Sequence, residues 1–242
     1  FLKKSLALGA DYIATGHYVR KVSNSLYSAK DKSKDQSYFL WTLTKKEIEK
    51  SFFPVGNYLK VDVRKIAKKA GLPTADKKDS QGICFLGKIS LTEFLKNHIP
   101  VKKGEVLNEL GNKIGEHDGS YFYTIGQRHI GVASREPIYV VDKVVANNTI
   151  IVAEGVENPV LYKKEIFVSD INFINLVRNE KTPINIYVRV RYRQLLQKAK
   201  FYTLESNKYK IVFEKPVRFI ASGQSAVFYK KNGEMICGSV IC

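Results

Sequence analysis

The chain has 242 residues, 44% hydrophobic and 26% charged, an ordinary globular composition long enough for more than one domain. Its 40 Lys and Arg against 23 Asp and Glu leave a net charge of +17, which favours a polyanionic partner, nucleic acid before anionic membrane, over a merely lysine-rich solvated surface. No apolar run approaches the roughly 18–20 residues that cross a bilayer. The 3 cysteines, an odd number, argue against a disulfide framework and fit a reducing, cytoplasmic setting with no membrane partner.

The first stretch, FLKKSLALGA, begins at Phe1 without a Met inside an apparent helix, and reads as a piece of a longer protein. Gly9 closes that helix, and DYIAT then forms a short buried strand ending at Gly16-His17. Thr44 and Glu47 carry a capping-box pattern for a short helix that stops near Pro54. In VDVRKIAKKAGLP the apolar Val63, Ile66, Ala67 and Ala70 recur at helical spacing, with Gly71 and Pro73 ending the helix. Ser90 and Glu93 repeat the capping pattern before LTEFLKNH.

Beyond Pro100 the apolar period becomes two. SYFYTIGQR reads as a strand, and PIYVVDKVVANNTIIVAEG as a hairpin folding back at Asn147-Asn148. Further strands follow in INIYVRVRYRQ, KAKFYTLE, YKIVFE and SAVFYKKNGEMICGSVI, with turns at Ser206-Asn207 and Asn232-Gly233. Short strands with regular turn punctuation point to a small barrel or sandwich. The expected order is therefore an α/β part and then two β parts.

Four features can carry chemistry. In RVRYRQ, a strand's alternation puts Arg189, Arg191 and Arg193 on one face, suited to phosphate contacts or to guarding a strand edge. The run SAKDKSKDQSYFLW sets Lys34, Asp35 and Gln36 in a polar loop that is either solvated or reads phosphate and base edges. ATGHY places Gly16 and His17 at the carboxyl end of a strand, where α/β proteins bind ligands. DSQGICFLGK holds Cys84 between glycines. Lys77, Lys78 and Lys88 raise its thiolate fraction and Asp79 opposes them, leaving a reactive thiol and a buried small hydrophobe both open. A thiol-dependent hydrolase would need a base from His98, His117 or His129, and no local pattern ties them to Cys84. No metal-ligand spacing occurs.

Taken together, LGADYIATGHY, KDQSYFLW, FPVG, VRKIAKKAGL, KKDSQGICFLG, YTIGQR, VRYRQ and SGQSAVFY occur in order and resemble the tRNA-specific 2-thiouridylase family. The resemblance implies the C-terminal part of a Rossmann-like, adenine-nucleotide α-hydrolase-like ATP-pyrophosphatase domain over 1–88. A β adaptor would follow over 89–156, and a tRNA-binding β-barrel over 157–242. It implies replacement of the C2 oxygen of the wobble uridine by sulfur, with Mg-dependent ATP activating that oxygen. Sulfur would come as a persulfide from a sulfur-relay or cysteine desulfurase donor. Cys84 would carry the persulfide, Gly16 would contact ATP, and His17, Lys34, Asp35, Gln36, Arg191, Tyr192 and Gln224 would contact tRNA. The family's phosphate loop and partner cysteine have no counterpart in these residues, so the expectation for this piece alone is tRNA binding without thiolation. The competing expectation is a truncated, non-catalytic RNA-binding module.

Overall fold

The computed structural model describes residues 1–77, 91–175, 183–204 and 208–242. Cys84 and its loop, Ser90 of the second capping pattern and the Ser206-Asn207 turn lie outside the described residues. The chain divides into two compact units. Residues 1–77, 164–216 and 222–242 form the first, and 78–163 with 217–221 the second.

In the first unit, helix α1 (Leu2–Ala7) ends before Gly9, which takes φ +90°. Strand β1 (Ile13–Ala14) leads to a hairpin of β2 (Val19–Val22) and β3 (Ser25–Ser28), turned by Ser23 at φ +52°. One turn of 3-10 helix spans Ser37–Leu40. Helix α2 (Lys45–Glu49) has the full capping box: Thr44 Oγ1 accepts from Glu47 N at 3.3 Å, and Glu47 Oε2 accepts from Thr44 N at 2.8 Å. Strand β4 (Ser51–Phe52) pairs in parallel with β1, and helix α3 (Lys60–Lys69) follows, with Gly71 at φ +68° beyond its end. One expectation of burial fails here. Ile13 is half-buried and Ala14 exposed, in a sheet that has two strands, β1 and β4, among the described residues. Helix α3 buries none of its residues, and Ile66 of its apolar stripe is exposed.

The second unit contains α4 (Leu91–Lys96), β5 (Gly104–Asn108), β6 (Lys113–His117), β7 (Ile138–Val144) and β8 (Thr149–Glu154). The strands run in the order β6-β5-β8-β7, with β5 and β8 parallel. Val106, Ile130, Ile138, Val140, Ile150 and Val152 form its core. The β7–β8 hairpin turns where expected, with Asn148 in the left-handed region at φ +54°. SYFYTIGQR is not a strand. Gly119 (φ +145°) and Gly126 (φ +81°) break the extended backbone, and Ser120–Phe122 makes a 3-10 turn. The Gln127 side chain accepts from Thr124 N at 3.1 Å and holds the turn that follows.

Strands β9 (Tyr162–Phe173), β10 (Ile184–Arg189), β11 (Gln197–Thr203), β12 (Tyr209–Arg218), β13 (Ser225–Tyr229) and β14 (Met235–Ile241) close a barrel in the order β10-β11-β12-β9-β14-β13. Alternation fills its interior: Ile186 and Val188, Ala199 and Phe201, and Ile211 and Phe213 are all buried. The β13–β14 turn uses Gly233 at φ +86°, as the Asn232-Gly233 pair predicts.

The N-terminal segment and the barrel share one core. Val19, Leu26, Tyr38, Leu40, Ile48 and Phe53 pack with Ile174, Val227, Tyr229 and Met235. Trp41 lies directly against Gly238 of β14, where an added Cβ would collide with the indole. Gly238→Ala should therefore destabilise the protein by about 1–3 kcal/mol in urea unfolding. Gly16→Ala, at a position with nothing within 4 Å, should stay within about 0.5 kcal/mol of the parent.

Candidate RNA interface

The segment from Asp35 to Trp41 is the seam between the N-terminal part of the first unit and the barrel. Asp35 is 2% exposed. Its Oδ1 accepts from Ala29 N and Ser37 N, both at 3.1 Å, and its Oδ2 accepts from Arg189 Nη1 at 2.9 Å. Arg189, itself buried, ends β10 and holds its guanidinium 5.6 Å from the centre of the Tyr229 ring. The Tyr229 hydroxyl lies 2.9 Å from Ser37 Oγ. A charge pair this dry persists only when hydrogen bonds replace the lost water. Asp35 is fully supplied with them, whereas Arg189 Nε has no hydrogen-bond partner among the described residues.

The neighbours of Asp35 tie further pieces to the same place. Gln36 Oε1 accepts from Tyr18 N at 3.0 Å, and Gln36 N donates to Tyr18 O at 2.8 Å. That pair of hydrogen bonds fixes the chain next to His17, whose Nδ1 lies 3.0 Å from Thr15 Oγ1. Tyr38 donates its hydroxyl to Ser225 O at 3.0 Å, and Trp41 Nε1 donates to Ser225 Oγ at 2.9 Å. Ser225 follows the exposed Gln224, so both contacts hold the strand start that presents Gln224. The Phe39 and Tyr192 rings sit 4.5 Å apart, and the Arg193 guanidinium lies 5.2 Å from the Tyr192 ring. Burial lowers the pKa of Arg191 and raises that of Tyr38, where the Ser225 hydrogen bond opposes the rise.

The structure thus gathers His17, Lys34, Asp35, Gln36, Arg191, Tyr192 and Gln224 around one seam. The expected stripe of three arginines does not form. Strand β10 ends at Arg189, Arg193 turns into the left-handed region at φ +64°, and Arg189 points inward to Asp35. The Asp35 carboxylate is likewise occupied inside the protein. Gly16 follows β1 beside a cleft of about 710 Å³ lined by Ala14, Lys21, Phe52, Phe53, Pro54 and Asn57, at the carboxyl ends of the parallel pair β1 and β4. Sequence reasoning missed Tyr38, Trp41, Ser225 and Tyr229. The chain's single Trp beside a Tyr-Phe pair was the available signal.

The architecture is that of a chain with a Rossmann-like HUP domain, a PRC-barrel adaptor and a closed six-stranded C-terminal barrel. Residues 1–88 match the tRNA methyl transferase HUP domain, 92–154 the tRNA methyl transferase PRC-barrel domain, and 163–241 the aminomethyltransferase beta-barrel domain. The chain is 45% identical to the tRNA-specific 2-thiouridylase MnmA of Blochmanniella floridana, over 97% of this chain and 66% of that protein. It is 40% identical to the enzyme of that name from Legionella pneumophila strain Philadelphia 1, over 96% of this chain and 67% of the relative. The chain belongs to the tRNA-specific 2-thiouridylase family. It spans about two thirds of the length of these curated relatives. No described helix is long and apolar enough to cross a membrane.

Removing one member of the buried pair strands the other. Asp35→Ala should cost about 3–5 kcal/mol of stability. The Asp35→Ala, Arg189→Met double variant should cost less than the sum of its single changes in a urea double-mutant cycle. Burial raises the pKa of Tyr229 far above the ordinary tyrosine value. The unfolded chain therefore ionises first, so stability is full below about pH 10 and falls above it. Tyr229→Phe should flatten that alkaline fall while losing about 1 kcal/mol at neutral pH with the Ser37 hydrogen bond.

Proposed function

We propose that these residues are the tRNA-holding and sulfur-carrying portion of a tRNA 2-thiouridylase that converts wobble uridine to 2-thiouridine. The observation that carries this reading is the seam itself. It collects cationic, amide and aromatic groups from residues 17–41, 191–193 and 224 onto one unit of a chain with net charge +17. Arginine and lysine serve the phosphates, while exposed rings and amides suit unstacked loop bases.

In this reading His17, Lys34, Gln36, Arg191, Tyr192 and Gln224 contact tRNA directly. Asp35 acts through Arg189, by setting the loop that carries Lys34 and Gln36. ATP is a substrate. The cleft at the ends of β1 and β4 offers Phe52, Phe53 and Pro54 to a nucleobase, and Gly16 leaves the backbone approachable. Lys21 Nζ is already engaged with Glu49 O and Ser51 O, at 2.9 and 3.0 Å. We assign the pyrophosphate cradle to the part of such enzymes that these 242 residues do not represent.

The reaction proceeds by attack of the uridine O2 on the α-phosphorus of ATP, releasing pyrophosphate. A persulfide on Cys84, charged by a donor protein, then attacks C2 through its terminal sulfur, and AMP leaves with the oxygen. A second thiol attacks the Cys84 sulfur, forming a disulfide and freeing the thiocarbonyl; an external reductant resets the pair.

In the complete protein, Cys84→Ser should abolish 2-thiouridine in nucleoside analysis and leave tRNA affinity unchanged. Persistence of thiolated wobble uridine would remove Cys84 from the mechanism. Arg191→Ala should weaken tRNA binding and reduce its salt dependence. Unaltered binding would take Arg191 out of the interface.

A further inference from the structure

The barrel carries a cleft of about 490 Å³ over β10, β11 and β12, with Asn185, Tyr187, Lys200, Tyr202 and Val212 in its lining. Strand alternation turns these five side chains outward, because Ile186, Ala199, Phe201, Ile211 and Phe213 between them are buried. Register then sets them in rows across the sheet. Tyr187 stands beside Lys198, Asn185 beside Lys200 and then Val212, and Tyr202 beside Lys210. Outward positions follow one another along a strand at about 6.6 Å, so the two tyrosine positions are about 13 Å apart. Asn185, Lys200 and Val212 occupy the row between them. Both tyrosines and Val212 are half-buried, while Asn185 and Lys200 are exposed. The surroundings are fixed by the fold. Lys210 Nζ lies 5.8 Å from the centre of the Tyr202 ring and 3.4 Å from Glu165 Oε2. Lys164 Nζ donates to Glu214 O at 2.6 Å, and Lys198 Nζ lies 3.7 Å from Glu214 Oε2. Tyr187 packs against the core that the N-terminal segment shares with the barrel, as Tyr192 does.

We propose that this face is a stacking platform for two unpaired nucleotides of the bound RNA, one base on Tyr187 and one on Tyr202. This inference rests on the tRNA-binding reading above and adds a second contact area to the seam. A strand face that meets only solvent has no need of rings, yet here two half-buried tyrosines flank a half-buried valine in one cleft. Aromatic side chains standing on a sheet hold splayed bases of RNA in this way, and stacking tolerates any base. The Asn185 amide offers a donor and an acceptor to a base edge. Lysines 164, 198 and 200 against Glu214 make the lining cationic, which suits the phosphate between two bases. A peptide is the poorer occupant. The barrel is closed, so β10, β11 and β12 are paired on both sides and no strand can be added beside them. The rings and the lysines are what the face has to offer.

The test is tRNA binding by the whole chain, read by fluorescence anisotropy, with ultraviolet crosslinks of the parent complex mapped by mass spectrometry. Tyr202→Leu keeps an apolar side chain and loses the ring, and should weaken binding about 5- to 100-fold, the worth of one stacked base. Tyr202→Phe should bind within about 2-fold of the parent, because stacking uses the ring and not the hydroxyl. Crosslinks in the parent should include Tyr187 or Tyr202, a readout that needs no variant to fold. Crosslinks confined to the seam, or parental affinity in Tyr202→Leu, overturn the platform; the tRNA reading stands if Arg191→Ala still weakens binding. Absence of tRNA binding by the parent chain overturns both. Calorimetric binding of AMP that Tyr202→Leu abolishes, with tRNA affinity unchanged, would replace the platform with a pocket for a free nucleotide.

Discussion

The buried contact between the Asp35 carboxylate and the Arg189 guanidinium joins positions 154 residues apart in the chain. Around it, Ser37 meets Tyr229, Tyr38 and Trp41 meet Ser225, and Gly238 makes room for the indole. In a dry setting the pair adds little net stability over an apolar filling, but its loss on one side is severe. Its consequence is positional. The loop before the 3-10 helix and the turn after β10 are set against each other, although one belongs to the α/β part and the other to the barrel.

Placement of the acidic groups also shapes the electrostatics. Asp31 and Asp35 look like counter-ions for a lysine-rich loop, yet both are used as acceptors for backbone amides. The loop is thereby folded by its own carboxylates, with Lys34 close enough to Asp31 and Lys32 close enough to Asp35 for each pair to feel the other's charge. The overall charge of +17 gives long-range attraction to polyanions. In the proposed reading, local discrimination falls to groups that the seam orders, including the Tyr192 and Phe39 rings and Gln224.

Elements with local causes were legible. The capping box at Thr44 and Glu47, the turn at Asn148, the stop near Gly71 and the Asn232-Gly233 hairpin each follow from a few neighbouring residues. SYFYTIGQR misled because its apolar spacing mimics a strand, while Gly119 and Gly126 adopt backbone angles outside a ladder. The β2–β3 hairpin, the strands β5 and β6 and the long strand β9 also escaped the reading. For β9 and for β5 part of the pairing is with distant strands, β14 and β8, which no short window shows; β2–β3 and β5–β6 are local hairpins. The candidate contact residues were legible chiefly through ordered motifs, since a lysine-aspartate-glutamine run has no distinctive local physics.

The sequence by itself determined the basic charge, the change from helical to strand period after Pro100, the turns at Asn148 and Asn232-Gly233 and the family. Only the tertiary structure decided that alternating arginines would part company. Strand period two requires the strand to continue, and β10 ends at Arg189, where a buried carboxylate from the other end of the chain is waiting. The same contact decided that the Asp35 carboxylate turns inward, because burial depends on what packs above a residue and not on the residues beside it.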